Sequence, residues 1–255
     1  MIQSLCRVES VQEVAQNIFV LTFLSPEISH TIQPGQFTSI RTEVGTDPLL
    51  RRPFSVYRTD GDRAEIVFNV IGKGTAALQR KRPGTWIDVI GPLGRPFSIQ
   101  SDDFDTAVLV GGGLGVAPLP ISTDALVRLH KRIVTFLGAR SASQLVERHL
   151  SNLRVATDDG SKGYHGTVVD LMRTSILDGS STRPKLFACG PTPMLSAVAS
   201  FARDAGIPCE VSLEGPMGCG FGICQGCPVE LADAERKYAL MCKDGPTFDI
   251  QKIVI

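Results

Sequence analysis

The sequence predicts a multidomain β plus α/β chain. An antiparallel β-barrel is expected over residues 1–101, a five-stranded parallel sheet with covering helices over 102–213, and a small cysteine-rich appendage over 214–255. Three observations carry this. Before residue 100, short β-branched and aromatic runs are separated by the turn pairs Pro34-Gly35, Asp60-Gly61 and Pro83-Gly84, as antiparallel strands require. Past Asp102, apolar strand-like and helix-like runs alternate, the signature of a parallel sheet with crossover helices. Four of the seven cysteines then crowd between positions 219 and 242. At 255 residues the chain also exceeds the usual size of a single core.

In the first region the strands are expected at 18–23, 36–41, 54–58, 65–71 and 86–90. In the second, 106–110 reads as a buried strand, 119–130 as a helix, 133–137 as a strand and 143–150 as a short helix. Segments 153–156, 168–173 and 185–188 continue the alternation, followed by a helix at 193–205 and a last strand at 209–213. The final segment has little room for its own core and calls for a metal staple.

Charge is balanced at 26 basic against 26 acidic residues, which gives no long-range attraction to nucleic acid or anionic lipid. The uncharged run between Asp105 and Asp124 approaches membrane-span length. Its Gly111, Gly112, Gly113, Gly115, Pro118 and Pro120 would break a spanning helix and strand backbone groups in lipid. No basic segment followed by an apolar one opens the chain, so a soluble cytoplasmic protein with neither nucleic-acid nor membrane partners is expected.

Cys219, Cys224 and Cys227 are separated by four and two residues, and Cys242 follows after fourteen more, the opening spacing of a plant-type [2Fe-2S] site. Gly218, Gly220, Gly222 and Gly226 interleave the first three, which lets the loop wrap tightly and aim N–H groups at sulfur. Four thiolates also suit structural zinc. Zinc ribbons usually pair two equal knuckles, whereas here the first loop is wider and the fourth cysteine stands alone. Cys6, Cys189 and Cys209 fall outside the pattern and read as buried small hydrophobes.

Two loops suit a dinucleotide. Gly111, Gly112, Gly113, Leu114, Gly115, Val116, Ala117 and Pro118 run from an apolar strand towards a helix, where glycines permit backbone approach to a pyrophosphate. Cys189, Gly190, Pro191, Thr192 and Pro193 end a later strand on the same carboxyl edge, where open sheets bind ligands. In the barrel, Arg51, Arg52, Pro53, Phe54 and Ser55 open one strand, and Gly72, Lys73, Gly74 and Thr75 are placed on a later one. Arginine suits a diphosphate, and the glycine turn offers N–H groups to phosphate. The four histidines (His30, His130, His149, His165) form neither a triad nor a metal pattern.

The order Arg-Pro-Phe-Ser, Gly-Lys-Gly-Thr, Gly-Gly-Gly-Leu-Gly-Val-Ala-Pro-Leu and Cys-Gly-Pro-Thr-Pro-Met-Leu resembles the ferredoxin-reductase-like superfamily across essentially the whole chain. The run Glu214 to Gly220, with Cys224, Cys227 and Cys242-Lys243-Asp244-Gly245-Pro246, is similar to the dihydroorotate dehydrogenase electron-transfer subunit family. That resemblance implies FAD held by Arg52, Pro53, Phe54, Ser55, Val67, Phe68, Asn69, Gly74 and Thr75. It implies NADH between the loop of Gly111, Gly112, Gly113, Gly115 and Pro118 and the loop of Cys189, Gly190 and Pro191. It also implies a [2Fe-2S] cluster on Cys219, Cys224, Cys227 and Cys242. Many relatives carry arginine where this chain has Asn69.

A hydride carries two electrons and such a cluster accepts one, so a flavin has to stand between them. The resemblance implies an NADH-dependent oxidoreductase of pyrimidine biosynthesis, passing electrons through FAD and the cluster to a separate FMN-containing dihydroorotate dehydrogenase catalytic subunit. It also implies a heterotetramer of two copies of each. The alternatives are the small subunit of an NADH-dependent ferredoxin–NADP oxidoreductase or of a sulfide or hydrogenase reductase, and a zinc-stabilised non-catalytic binding module. Relatives of the first kind typically carry aspartate at the first cluster position, so Cys219 favours the dihydroorotate system. For the choice of nucleotide, Arg140 is suited to a 2′-phosphate and Asp158 and Asp159 would repel one.

Overall fold

The computed structural model describes residues 1–176, 182–232 and 235–255. Its first layer is a closed antiparallel barrel of six strands: β1 (Ile2–Ala15), β2 (Ile18–Leu24), β3 (Phe37–Arg41), β4 (Arg52–Asp60), β5 (Arg63–Asn69) and β6 (Trp86–Leu93). Two short helices, α1 (Pro26–Ser29) and α2 (Lys73–Gln79), fill its connections. The order β1-β2-β5-β4-β3-β6 closes because β1 pairs with both β2 and β6. That closure removes the exposed strand edges an open sheet would leave.

The sequence pattern missed β1. Its register shifts at Val8/Ser10 and Glu13/Ala15, and such bulges break the period-two alternation that reveals a strand. Gly72 to Thr75 also differs from expectation, opening α2 rather than lying on a strand. Leu21, Phe23, Ile40, Val56, Ile66, Phe68 and Val89 fill the barrel, each contributing roughly 1.5–3 kcal/mol by leaving water.

The second layer is a seven-stranded sheet in the order β10-β9-β8-β7-β11-β12-β15. The five expected strands form its body: β7 (Thr106–Gly112), β8 (Arg132–Ala139), β9 (Leu153–Thr157), β11 (Pro184–Cys189) and β12 (Cys209–Ser212), all parallel. The two-residue β10 (Tyr164–His165) extends one edge. Helices α3 (Leu119–Arg128), α4 (Val168–Ile176) and α5 (Thr192–Ala205) cover the sheet. The helix expected over 143–150 is instead a single 3-10 turn, Ala142–Gln144, followed by extended chain. Leu145 and Val146 explain the difference: they are adjacent rather than a helical turn apart, and both are buried with Ile18, Tyr57 and Val67 of the barrel.

The last segment contributes β13 (Pro228–Glu230), β14 (Tyr238–Leu240), α6 (Met241–Asp244) and β15 (Thr247–Asp249). As expected, it has little core of its own: β15 pairs antiparallel with β12, and Val229, Met241, Phe248, Ile250 and Ile253 join the core cluster of the parallel sheet. The uncovered edge of β12 supplies the reason, since β15 satisfies its open backbone groups. Among the described residues, no helix is long and apolar enough to cross a membrane.

Candidate functional site

Two clefts and one cysteine loop meet where the barrel faces the carboxyl ends of the parallel strands. The first cleft, about 550 Å³, has a barrel wall of Arg52, Pro53, Phe54 and Ser55 on β4 and Val67, Phe68 and Asn69 on β5. Gly72, Gly74 and Thr75 at the start of α2 form one end, and Leu213, Glu214, Gly215 and Met217 the opposite wall. All nine barrel residues expected to hold FAD are thus brought together.

The two neighbouring arginines separate. Arg51 turns away to pair with Asp88 at 2.6 Å and to donate to the Asp88 carbonyl at 2.9 Å. Arg52 lines the cleft, tethered by a donor bond to the Leu50 carbonyl at 2.7 Å. Thr75 is less free than its sequence position suggests, because its hydroxyl accepts from the N–H groups of Ile71 at 3.0 Å and Gly72 at 3.3 Å. A Cβ at Gly74 would sit 3.3 Å from Arg52 Nε, so this glycine keeps the guanidinium beside the first turn of α2. A guanidinium held next to helix-start N–H groups suits an anionic diphosphate.

The second cleft, about 960 Å³, opens at the carboxyl edge of β7, β8 and β11. Gly112, Gly113, Leu114 and Gly115 line it after β7, and Pro191, Pro193 and Met194 line it after β11. Gly111, Pro118, Cys189 and Gly190 are not in its wall. Packing accounts for most of these glycines. A Cβ on Gly111 would meet Leu119 Cδ1 at 2.8 Å, and one on Gly115 would meet the Cys189 carbonyl oxygen at 2.0 Å. Gly113 differs: with φ of +56° and nothing within 4 Å, it is the position where only glycine presents backbone to the cleft without strain. Loop and helix are also less directly joined than expected, since a 3-10 turn, Gly113–Val116, precedes α3.

Several wall residues carried no local signal, among them Gln16 and Asn17 of the barrel and Thr167, Asp170 and Arg173 of the α4 region. Arg140 and Asp158 line this cleft as well; Asp159 does not, its carboxylate instead accepting from the Ser161 N–H at 2.9 Å. The four histidines stay outside both clefts.

The clefts share three wall residues, Asn69, Leu114 and Glu214. Glu214 Oε1 lies 4.0 Å from Cys189 Sγ, and burial raises its carboxyl above the usual range. Burial, and then the Glu214 charge, push the Cys189 thiol well above its ordinary value. It therefore stays a neutral thiol.

Cys219 follows two positions after Met217 in the wall of the first cleft. Gly220 at φ +86° and Gly222 at φ +90° turn the loop back on itself. Cys227 and Cys242 are buried with their sulfurs 3.3 Å apart, and the Cys242 N–H points at Cys227 Sγ from 3.5 Å. Burial opposes ionisation of Cys219, but the N–H groups of Cys224 and Phe221 donate to its sulfur at 3.5 Å and hold the thiol down at about 6. Burial and the adjoining Cys227 push Cys242 up to about 12. A bound metal would overcome that resistance, because coordination deprotonates a thiol outright.

The donor set fits a two-iron cluster: the Cys224 N–H donates to Cys219 Sγ and Cys227 Sγ lies beside Cys242 Sγ, so the four thiols fall into two local pairs that two irons can share. Cys6, Cys189 and Cys209 are buried away from this loop.

Residues 214–254 match the model of the iron-sulfur cluster binding domain of dihydroorotate dehydrogenase B. The chain is 37% identical over 255 residues to the dihydroorotate dehydrogenase B (NAD(+)) electron transfer subunit of Geobacillus kaustophilus, covering 97% of each. The chain belongs to this electron transfer subunit family. The subunit of the same name from Desulforamulus reducens is 34% identical over 257 residues, with 97% of each covered. Among solved structures, the NADH-dependent reduced ferredoxin-NADP oxidoreductase aligns with a TM-score of 0.85 and 32% identity, covering 98% of this chain and 90% of that one. The cytochrome b5 reductase domain of Ulva prolifera nitrate reductase shares the fold, with a TM-score of 0.64 at 15% identity, covering 80% of this chain and 94% of that one.

Proposed function

We propose that this chain is the electron-transfer half of a two-component dihydroorotate dehydrogenase, with FAD in the first cleft, NAD(H) in the second and a [2Fe-2S] cluster on Cys219, Cys224, Cys227 and Cys242. The observation that carries this reading is contiguity: the clefts share Asn69, Leu114 and Glu214, and Met217 in the first wall leads directly to the cysteine loop. When bound, FAD supplies the exchange of a hydride pair for single electrons. The chain's own work is binding and insulation. Arg52 and the start of α2 hold the diphosphate, and Phe54 and Val67 wall the ring.

Oxidation of dihydroorotate releases two electrons, so in that direction the nucleotide enters as NAD+; NADH drives the same relay in reverse. Cys224 and Ile223 are exposed, Ile223 at 76%, and form the edge we assign to an FMN-containing catalytic partner. Two copies of each subunit in the cytoplasm complete the proposal.

The test is an absorption spectrum of the anaerobically purified protein before and after NADH, with iron, sulfide, zinc and flavin quantified. Flavin with about two iron and two sulfide per chain, bleached by NADH, is the expected result; zinc without flavin would overturn it. Cys224→Ser should abolish electron delivery to the partner and leave flavin reduction by NADH intact. Copurification with a ferredoxin-NADP oxidoreductase partner, and no stimulation of dihydroorotate turnover, would favour the relative of known structure instead.

A further inference from the structure

Glu214 is the one ionisable side chain, among the described residues, that lines both clefts. The other charged groups divide: Arg52 and Lys73 line only the first, and Arg140, Asp158, Asp170 and Arg173 only the second. The two residues that share its position, Asn69 and Leu114, carry no charge. The neutral Cys189 thiol of β11 lies 4.0 Å from its carboxylate.

On the reading that the first cleft takes flavin and the second the nucleotide, the shared wall is where the two rings must touch, because hydride passes only by direct contact. The charge that changes there is on the nicotinamide: neutral in NADH, cationic in NAD+. We propose that Glu214 reads that charge, its carboxylate selectively holding NAD+ over NADH at the junction of the clefts. Asn69 and Leu114 cannot make this distinction, and no other ionisable wall residue reaches both clefts.

The reciprocal consequence concerns protons. A carboxylate that binds NAD+ better than its acid form is itself favoured by NAD+, so the two equilibria are coupled. Desolvation raises the Glu214 carboxyl above its ordinary 4.5, which brings its titration towards the working pH. Affinity for NAD+ therefore rises as pH climbs through that raised value, while affinity for a neutral nicotinamide does not. The device would bias the subunit towards accepting NAD+, the direction in which dihydroorotate is oxidised.

The test uses the FAD- and cluster-loaded protein, titrated with NAD+ and separately with 1,4,5,6-tetrahydro-NAD, a neutral-ring analogue that cannot donate hydride. Perturbation of the flavin absorption reports binding. In the wild type the affinity ratio favouring NAD+ should grow as pH is raised above the ordinary carboxylate range. Glu214→Gln should weaken NAD+ about tenfold, equivalent to 1.4 kcal/mol, change the analogue less than about twofold, and flatten the pH dependence. Glu214→Asp, which keeps the charge, should recover part of the preference. Equal losses for both ligands, or a wild-type ratio indifferent to pH, would overturn the inference and leave the cleft assignment intact. If neither ligand perturbs the flavin, the cleft assignment falls and the inference with it. The wild-type pH series needs no variant to fold.

Discussion

Gly115→Ala puts the packing between the two nucleotide loops to a direct test. The added Cβ would lie 2.0 Å from the Cys189 carbonyl oxygen, 2.4 Å from its carbon and 2.6 Å from Gly190 Cα. Real Cβ contacts essentially never fall below 3.0 Å, so the loops must part by about 1 Å, the gap between those distances. All three neighbours are backbone, and no side-chain rotation relieves the collision. Overpacking of this kind costs about 1–3 kcal/mol, which for a chain of this size lowers Tm by about 2–12 °C. Because a 1 Å misplacement costs on the order of 100-fold in rate, flavin reduction by NADH should slow by one to two orders of magnitude. Thermal unfolding followed by circular dichroism and stopped-flow flavin bleaching give the two readouts. Gly113→Ala is the control: its φ of +56° imposes backbone strain of about 1–2 kcal/mol, with nothing within 4 Å to collide with. A Gly115→Ala protein with wild-type Tm and wild-type reduction rate would refute the packing argument.

Two other outcomes follow from side-chain geometry. Arg52→Ala should weaken FAD retention by about 10- to 100-fold, the worth of a charged hydrogen bond. Arg51→Ala should leave retention intact, since Arg51 is committed to Asp88; flavin-to-protein ratios after gel filtration decide it, and equal loss from both variants would contradict the separation of the pair. Burial pushes Tyr57 up to about 12 from 10.0 and Cys209 up to about 12 from 9.0. The folded protein holds those protons more tightly than the unfolded chain, so the stability they contribute is full below pH 9 and drains away as pH rises towards 12. Urea unfolding at about pH 8 and about pH 10.5 should show the decline; an unchanged midpoint would refute it.

Local chemistry was legible where one stretch of chain held all of it. The cysteine spacing needed no tertiary knowledge, because Cys219, Cys224 and Cys227 share one loop. The parallel strands at 106–110 and 185–188 announced themselves through the apolar runs 107–110 and 186–188, buried on both faces. The strand β1 did not, because its bulges scramble the alternation, and the stretch 143–150 misled because Leu145 and Val146 are held by the barrel rather than by a helix.

Spacing, composition and turn residues, all properties of contiguous chain, determined the barrel, the parallel sheet and the four-cysteine loop. Only the folded chain decided what each glycine is for: Gly115 lets the backbone at Cys189 and Gly190 pack directly against its loop, and Gly113 alone of that loop faces open space at positive φ. It also decided that Arg52 and not Arg51 faces the cleft, and that β15 binds the last segment into the main core. Glu214 is the clearest case. The run Glu214 to Gly220 carried a family resemblance but no role for this carboxylate, whose position between two clefts arises from β5, the turn after β7 and the strand end after β12 converging at one point. A charge acquires its role from the groups around it, and those groups are brought together only when distant segments pack.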